Sequence, residues 1–329
     1  MPSALSSSSR SRARRFELYL ALAVTIVPFL GFIAACVLLA RGTVGVVDLV
    51  LLVVFYAISM IGIEVGYHRH FSHRAFRGPP AVRWFLGFCG SSAFQGPVIW
   101  WAATHRRHHA FSDREGDPHS PVQKLGRDVQ LKSFWHSHMG WMFSQPHSSL
   151  VEVGQYASDL LRDPTAHAIN RWYFRLAFLG LLLPTLIGGL AYGSIEGAAR
   201  GLLWGGIVRI FLVQHVVWGI NSFGHAFGRR RFETRDNSRN VVIIALLSGG
   251  AGWHNNHHQF PSSARVGVAW WELDLCWWLI QALARMGLVD HVLTPSRNAL
   301  ERSMGHTSDE AETALQRSAV RTSDKTEEG

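Results

Sequence analysis

The sequence predicts an all-α integral membrane protein in which four transmembrane helices carry a cytosolic helical cap with a histidine-rich metal site. Hydrophobic residues make up 48% of the 329 residues and charged residues only 17%, whereas soluble globular domains carry about 25% charged residues. The apolar residues form uninterrupted blocks. The chain also contains 18 histidines, and three tight clusters of them lie beside these blocks. These observations favour chemistry at a membrane surface.

The charge balance and the cysteines exclude two other classes of protein. The chain has 32 basic and 23 acidic residues, a net charge of +9. Apart from the short basic run at 11–15, it has neither a basic arm nor a reader motif, so no nucleic-acid partner is expected. Its three cysteines are scattered, which excludes a disulfide scaffold and a thiolate metal site.

Four apolar segments are long enough to cross a bilayer, which takes about 20 residues in a helix. The first is too long for the apolar region of a signal peptide. Arginines precede it, which favours a cytosolic N-terminus. The predicted spans are 18–40, 46–66, 174–195 and 200–222.

The spans divide the chain into three parts. Residues 1–15 are a basic cytosolic tail, residues 16–290 form the membrane domain, and residues 291–329 are polar and expected to be disordered. Two further apolar stretches, 84–103 and 266–288, are interrupted by Gly96-Pro97 or by charges among tryptophans. Both are predicted to be interfacial helices.

Arg209 interrupts the fourth predicted span. An ionisable residue inside a span is often functional. A long basic side chain can equally extend to the interface or pair inside the helix bundle. The sequence leaves these alternatives open.

The histidine clusters have spacings suited to metal binding. Two follow the pattern H-x-x-H-H, and positions i, i+3 and i+4 of a helix lie on one face, so each trio is predicted to point at one place. His68 and His73 are five residues apart, about 140° around an ideal helix, and can meet only if the helix ends or distorts. Asn221 and His225 are one turn apart. The other clustered histidines are His105, His108, His109, His254, His257 and His258.

Nine histidines and an asparagine exceed what one metal ion can use, so two metals are predicted. Imidazole is a common ligand of first-row metals, and a redox-inert zinc pair would have no use for so many neutral ligands beside a lipid pocket. Iron is therefore expected. The chain has no Glu-x-x-His motif, which excludes the soluble carboxylate di-iron design. Surface, outer-sphere or capping positions are expected for His70, His119, His136, His138, His147, His167, His215, His291 and His306.

One metal site requires all clusters to face one compartment. The segment between His73 and His105 must then not cross the membrane, and the third and fourth spans must cross it as a pair. This arrangement places the clusters and both termini in the cytosol and the turn at 41–45 outside. Carboxylates near the second cluster would orient ligand imidazoles, and the candidates are Asp113, Glu115 and Asp117.

At these residues the chain resembles the membrane fatty-acid desaturases, the family that includes stearoyl-CoA desaturase. The resemblance covers about 56–288 and includes the three histidine boxes in order. It also includes Asn221-Ser-Phe-Gly-His225, Asp117-Pro-His119, the run at 134–141 and Gly252-Trp253. The arginine-rich run at 229–236 resembles the bacterial branch, which implies a bacterial cell membrane.

The resemblance implies ligands, a tunnel and partners. Two iron ions would be held by His68, His73, His105, His108, His109, His225, His254, His257 and His258, with Asn221 acting through water. A kinked acyl tunnel would have Gln95, Trp101 and Trp218 at its bend and Tyr56 and Met60 at its end. The implied partners are a long-chain acyl substrate, O2, membrane lipid and an external electron donor: ferredoxin, rubredoxin, cytochrome b5 or an NADPH-dependent reductase.

Three departures concern positions around the iron site. The Arg-Asp and Arg-Lys pairs that hold coenzyme A in the animal enzymes are here Ala103-Thr104 and Gln145-Pro146. The acidic residue usual before the third box is here Gly250 or Ala251. None of these departures replaces a predicted ligand histidine, so the iron site is expected to be intact. The residues at these positions do not support recognition of coenzyme A.

The expected activity is insertion of a cis double bond, at Δ9, into a long-chain saturated acyl-CoA or acyl-lipid, using O2 and two electrons. A membrane alkane or lipid hydroxylase would use similar boxes and is the alternative. A metal transporter would place its ligands inside the spans near the midplane. The boxes lie outside the spans, which disfavours a transporter.

Overall fold

The computed structural model describes residues 7–121, 129–144 and 150–304. Within these ranges the chain is helical, and its extended pairing is limited to isolated β-bridges. The predictions for Gln145, Pro146, His147, His306 and the tail beyond residue 304 lie outside the described residues.

The helices are α1 Ser7–Ala40, α2 Val46–Ile61, α3 Pro80–Ser92, α4 Val98–Phe111, α5 Leu131–Trp135, α6 Trp141–Ser144, α7 Leu150–Tyr156, α8 Ser158–Arg162, α9 Pro164–Arg171, α10 Tyr173–Tyr192, α11 Ile195–Gly201, α12 Arg209–Gly224, α13 Val242–Ser248, α14 His254–Gln259 and α15 Leu275–Arg285. Three π-helical turns lie at Gly62–Ser72, His136–Gly140 and Leu202–Val208.

Four helices are long and apolar enough to cross a membrane, as predicted: Arg14–Ala40, Val46–Ser72, Tyr173–Tyr192 and Ile195–Gly224. The second span extends to Ser72 because a π-helix continues it beyond residue 61. The fourth is longer than predicted at both ends, since α11 begins at Ile195 and α12 ends at Gly224. Large apolar side chains point outward from the spans, as lipid contact requires. Examples are Leu30, Val53, Phe178 and Leu190.

The apolar stretch 84–103 is divided as its Gly-Pro pair predicted. Helix α3 ends at Ser92 and α4 begins at Val98. One face of α3 is buried against the π-helical end of span two, where the backbones come very close. A Cβ atom on Gly62 would lie 2.1 Å from the backbone of Cys89 and Gly90. Only glycine permits this contact, which fixes the first histidine box against α3.

The stretch 266–288 is only partly helical. Helix α15 covers Leu275–Arg285. Trp277 packs against an apolar cluster, whereas the other tryptophans of the stretch are exposed. Trp270 is 93% exposed and Trp278 is 53% exposed. Its interfacial placement stays a prediction.

Arg209 pairs inside the bundle and does not reach an interface. Its guanidinium is fully buried and donates to the carbonyls of Gly205 at 3.0 Å and Gly180 at 2.9 Å, to Ser59 Oγ at 2.8 Å and to the carbonyl of Ser92. These neutral oxygens offset the cost of burying the cation. Arg209 therefore joins the fourth span to α2, α3 and α10.

Residues 291–304 pack on the membrane domain, so the predicted boundary at 290 falls too early for them. The backbone N–H of Leu293 donates to the carbonyl of Ala75 at 2.8 Å, and the N–H of Ala264 donates to the carbonyl of Leu293 at 2.8 Å. Residues 297–304 are helical, and Gln259 donates to Ser303 Oγ at 3.0 Å. Backbone pairing of this kind leaves no signal in composition.

Candidate metal centre

The nine predicted ligand histidines converge in two groups. Within each group, one ring nitrogen of every histidine lies within 4.8 Å of those of the others. We call them the five-histidine group and the four-histidine group. The first contains His68, His73, His105, His109 and His257, and the second contains His108, His225, His254 and His258.

The π-helix at the end of span two brings His68 and His73 together. Its hydrogen bonds run from residue i+5 to residue i, and the N–H of His73 donates to the carbonyl of His68 at 3.0 Å. Five residues then make slightly more than one turn, and the two ring centroids are 5.0 Å apart. This is the distortion that the spacing required.

The prediction that each H-x-x-H-H trio points at one place is wrong. In the second box, His105 and His109 belong to the five-histidine group and His108 to the four-histidine group. The third box divides in the opposite sense, with His257 alone in the five-histidine group. The reason is angular: at 100° per residue, positions i and i+4 are about 40° apart, whereas i+3 and i+4 are about 100° apart.

Four of the candidate ligand histidines are oriented by carboxylates. The Nδ1 of His68 lies 3.0 Å from Glu64 Oε2 and that of His108 lies 3.0 Å from Asp117. Because an ionised carboxylate can only accept, Nδ1 carries the proton and Nε2 carries the lone pair. The same contact joins His225 to Asp113 at 2.9 Å and His258 to Asp236 at 2.6 Å.

Two of the four orienting carboxylates were predicted and two were missed. Asp113 and Asp117 act as expected, whereas Glu115 is exposed and the prediction for it is wrong. Glu64 lies one turn before His68, and an acidic residue at the end of an apolar span was the available signal. Asp236 lies 22 residues before its partner, and no local spacing indicates it.

The residues present fit a bound cation. The Nε2 atoms of His108 and His258 are buried and have no hydrogen-bond partner in the described part of the chain. Elsewhere ring nitrogens face one another, with 2.7 Å between Nε2 of His73 and Nε2 of His105 and 3.0 Å between Nε2 of His225 and Nε2 of His254. A buried lone pair without a donor is costly. A shared metal ion in each group would satisfy all the converging nitrogens together.

Burial favours the neutral form of several candidate ligands. It lowers the pKa of His105 and His109 well below the ordinary value, and neighbouring histidines add to the effect. Burial also lowers the pKa of His258 to about 4, although Asp236 opposes the shift. For Asp117, burial would raise the pKa, but the charge and hydrogen bond of His108 outweigh it and hold it below the ordinary value. Neutral imidazoles beside ionised carboxylates are what a metal needs at neutral pH.

His225 shifts in the opposite direction. Burial would lower its pKa, but the charge and hydrogen bond of Asp113 outweigh burial and raise it. Asn221 lies one turn before His225 on α12 and is half-buried. Both positions agree with the predicted spacing, and the water-mediated contact of Asn221 stays a prediction.

The predicted tunnel residues have different surroundings. Trp101 stacks on His105 with ring centroids 5.1 Å apart, and it packs on the same apolar cluster as Met60 and Tyr56. Trp218 is buried beside His138, 5.9 Å away. The Nε2 of Gln95 is buried without a hydrogen-bond partner among the described residues.

Two of the sequence departures have a structural reason. Ala103 is 3% exposed within an apolar cluster, where a charged side chain would lack a partner. Gly250 has φ +132°, and a Cβ atom there would lie 2.5 Å from Asp274 Oδ1. Asp274 pairs at 2.8 Å with Arg69, which lies within the first box. Asp274 thus places a carboxylate close to Gly250, at a position where the family usually has an acidic residue.

This arrangement of four membrane-competent helices and two histidine groups defines a class of membrane metalloenzyme, and sequence comparison identifies the family. The profile of the Fatty acid desaturase family matches residues 46–293, so the chain belongs to that family. Its members are oxygen-dependent oxidoreductases, and the chain is an integral membrane protein of this kind.

Three relatives illustrate the range of the family. The chain is 43% identical over 293 residues, 88% of its length and 89% of the relative's, to the hex-5-enoyl-[acyl-carrier protein] acetylenase of Moorena producens. It is 37% identical over 244 residues (74% and 82%) to the sn-1 stearoyl-lipid 9-desaturase of Anabaena variabilis. It is 35% identical over 244 residues (73% and 72%) to the acyl-CoA C20 Delta5-desaturase of Anemone leveillei. The names include three different acyl carriers.

Proposed function

We propose that this protein inserts a cis double bond, at Δ9, into a long-chain saturated acyl group that is bound to a carrier. The observation that carries the proposal is the stacking of Trp101 on His105, 5.1 Å between ring centroids. Trp101 also packs on the apolar cluster of Met60 and Tyr56. An acyl chain that lies along this cluster would pass the five-histidine group.

The two histidine groups would bind one iron ion each, with Asn221 acting through water. When bound, the irons would supply the chemistry by which O2 and two electrons remove two hydrogens from adjacent methylenes. The protein would orient the ligands through Glu64, Asp113, Asp117 and Asp236. It would also exclude bulk water, since six of the nine histidines are at least nine-tenths buried.

The positions of Met60 and Tyr56 along span two support their proposed role at the end of the acyl tunnel. At 1.5 Å rise per residue, Met60 lies about 12 Å and Tyr56 about 18 Å deeper than His68 in an ideal helix. Met60 is 5% exposed, and Tyr56 Oη donates to the carbonyl of Leu247 at 2.8 Å. Side chains at these depths would stop the methyl end, while the head group would set the double-bond position.

The proposal also concerns the carrier to which the acyl substrate is attached. The sequence favoured acyl-CoA or acyl-lipid, and the names of the relatives add acyl-carrier protein. The 43% identity to a relative that acts on an acyl-carrier protein substrate supports testing that carrier first. The burial of Ala103, where an arginine would contact coenzyme A in the animal enzymes, points the same way.

A second candidate activity is formation of a triple bond. The acetylenase of Moorena producens is similar over 88% of this chain. The same hydrogen removal, applied to an existing double bond, would give an alkyne. Only the substrate that the tunnel admits would differ.

The experiment supplies four substrates to protein in nanodiscs: stearoyl-CoA, stearoyl-acyl-carrier protein, a stearoyl lipid and hex-5-enoyl-acyl-carrier protein. Ferredoxin, rubredoxin, cytochrome b5 and an NADPH-dependent reductase are tested as external donors. Products are identified by mass spectrometry, and the His254→Ala variant is the inactive control. A Δ9 monoene from one stearoyl substrate is expected. Conversion of the hexenoyl substrate alone would favour the second candidate, and hydroxylated products alone would overturn both.

We also propose that the protein lies in a bacterial cell membrane with the metal centre and both termini in the cytosol. The support is the basic segment that precedes the first span, with Arg10, Arg12, Arg14 and Arg15. Basic residues favour the cytosolic side of a span. An even number of spans then places both termini on that side.

A further inference from the structure

Two ligand histidines from different elements are each followed directly by an arginine. His73 ends the first box and precedes Arg74, and His105 begins the second box and precedes Arg106. The Nε2 atoms of His73 and His105 are 2.7 Å apart in the five-histidine group. Whatever fixes the two arginines relative to each other therefore fixes the two histidines.

Both arginines bind the same carboxylate, Asp159 on α8. Arg106 forms a two-point contact, with 2.6 Å between Nη1 and Oδ1 and 3.1 Å between Nη2 and Oδ2. Arg74 donates from Nε to Oδ2 at 3.0 Å. Paired parallel hydrogen bonds between guanidinium and carboxylate fix orientation as well as distance.

Arg106 also holds the end of the π-helix. Its Nε donates to the carbonyl of Ser72 at 2.7 Å and its Nη2 donates to the carbonyl of Phe71 at 2.9 Å. Carbonyls in the last turn of a helix have no partner within the helix. Arg106 satisfies two of them and so connects the second box to the first.

Arg74 stabilises the exit of the chain from the π-helix. Its φ is +53°, a left-handed value that is uncommon for a residue other than glycine. The contact with Asp159 holds the side chain in place at this turn. Without the contact with Asp159, no charged partner would hold Arg74 at this left-handed φ, and the backbone could relax to more usual angles.

We propose that Asp159 is a positioning residue for the five-histidine group, because it fixes Arg74 and Arg106 and through them the separation of His73 and His105. The inference depends on the proposed metal-binding function of that group. Asp159 belongs to neither histidine group and acts through the two arginines. Its side chain is 24% exposed, so its replacement creates no buried cavity.

Asp159 stays ionised over the working range of pH. Burial would raise its pKa, but hydrogen bonds from Arg106 and Arg74 and their charges outweigh burial and lower it to about 2. The support that it gives the arginines therefore does not depend on pH near neutrality.

The test is the Asp159→Asn variant of the full-length protein, loaded with ⁵⁷Fe in detergent and compared with wild type by iron analysis and Mössbauer spectroscopy. Removing a group that orients metal ligands lowers metal affinity by about 10–100-fold. We expect iron to fall from two per chain towards one under chelator competition, with loss of one spectral component. Asp159→Glu should restore part of the affinity.

Asp163→Asn is the matched control. Asp163 also pairs with an arginine, Arg83, and caps α9 by accepting from the N–H of Ala166. Asparagine keeps the cap while removing a charge of the same kind. This variant should bind iron as wild type does.

The outcomes separate this inference from the proposed function. Wild type that binds no iron pair would contradict the proposed function itself. Wild type with two irons, together with an Asp159→Asn variant of unchanged affinity and spectrum, would overturn the inference alone. Equal loss of both irons in folded protein would also overturn it. If Asp159→Asn does not fold, Arg74→Gln removes one of the two connections and must show the same selective loss.

Discussion

Glu64 Oε2 lies 3.0 Å from Nδ1 of His68, so a carboxylate inside the second membrane-competent helix orients the first histidine of the candidate metal centre. Asp236 does the same for His258 from the loop before the third box, at 2.6 Å. The two carboxylates serve different histidine groups, and their side chains are largely buried. Their replacement therefore tests the orientation of both groups.

Glu64→Gln and Asp236→Asn should each lower iron affinity by about 10–100-fold, with a parallel loss of desaturation. An amide can donate as well as accept, so it no longer fixes the proton on Nδ1. Iron content and product formation in isolated membranes measure the effect. Glu115→Gln is the control, since Glu115 is exposed. An equal loss in the control would contradict the assignment.

His109→Ala and His254→Ala should each abolish desaturation, because each removes one nitrogen from a different group. Neither residue lies in a span, so membrane insertion should be unaffected. Iron analysis should show about one ion per chain in each variant, as one group remains complete. His291→Asn is the control: His291 is exposed and has φ +46°, which asparagine tolerates. Substantial activity in either alanine variant would exclude that histidine as a ligand.

Met60→Ala should shift the preference towards longer acyl chains without moving the double bond. Met60 is 5% exposed, and loss of its side chain would leave a cavity at a cost of about 2–5 kcal/mol. A longer acyl chain that fills the cavity would recover part of this free-energy cost. Product profiles from saturated substrates of graded length measure the preference, and Tyr56→Phe is the control for loss of the bond to Leu247 alone.

The same profiles decide between two ways of positioning the substrate. An unchanged length preference in Met60→Ala and in Tyr56→Ala would exclude these residues from the substrate site. A moved double bond would mean that the methyl end, and not the head group, sets the position.

Tags at both termini should be accessible from the cytosol, and a tag within 41–45 should be accessible only from outside. If all four membrane-competent helices cross, both termini lie on one side, and basic residues before and at the start of the first helix favour the cytosol. Labelling of single cysteines by an impermeant reagent in intact cells measures the orientation. Labelling of a cysteine near His73 and one near His254 from opposite sides would contradict a single metal centre.

Acidification should destabilise the iron-free protein. The pKa values of His105, His109 and His257 are lowered, first by burial and then by neighbouring histidines. The unfolded chain takes up protons near pH 6.5, whereas the folded imidazoles stay neutral to lower pH, and that of His258 to about 4. Between these values the unfolded state binds more protons, so the free energy of unfolding falls as pH falls, by about 1.4 kcal/mol per pH unit per histidine.

Thermal unfolding of chelator-treated protein between pH 7.5 and 5 measures this dependence. The raised pKa of His225 acts in the opposite sense and reduces the slope slightly. A midpoint that is constant or rises on acidification would contradict the burial of neutral ligands.

The sequence predicted the elements that depend on local pattern. Long apolar blocks identified the four spans, and the clustering of histidines identified all nine members of the two groups. The spacing of His68 and His73 required a distorted helix, and the π-helix supplies it. These features follow from the composition of a few neighbouring residues.

Features that depend on distant contacts were not predictable in this way. Asp236 reaches His258 because the loop before α13 folds back, and Arg209 is satisfied by carbonyls from two other helices. Neither arrangement leaves a local spacing. The division of each box between two groups is a local feature, because positions i+3 and i+4 of a helix are about 100° apart and point in different directions.

Helices α4 and α14 each supply ligands to both groups. Rings in the same box but in different groups have centroids 6.3 Å apart for His105 and His108 and 6.0 Å apart for His254 and His257. These separations are those of side chains about one turn apart on a single helix. The peptide backbone of two short helices therefore sets the distance between the two histidine groups, and substitution of a single histidine cannot change that distance unless one of these helices bends.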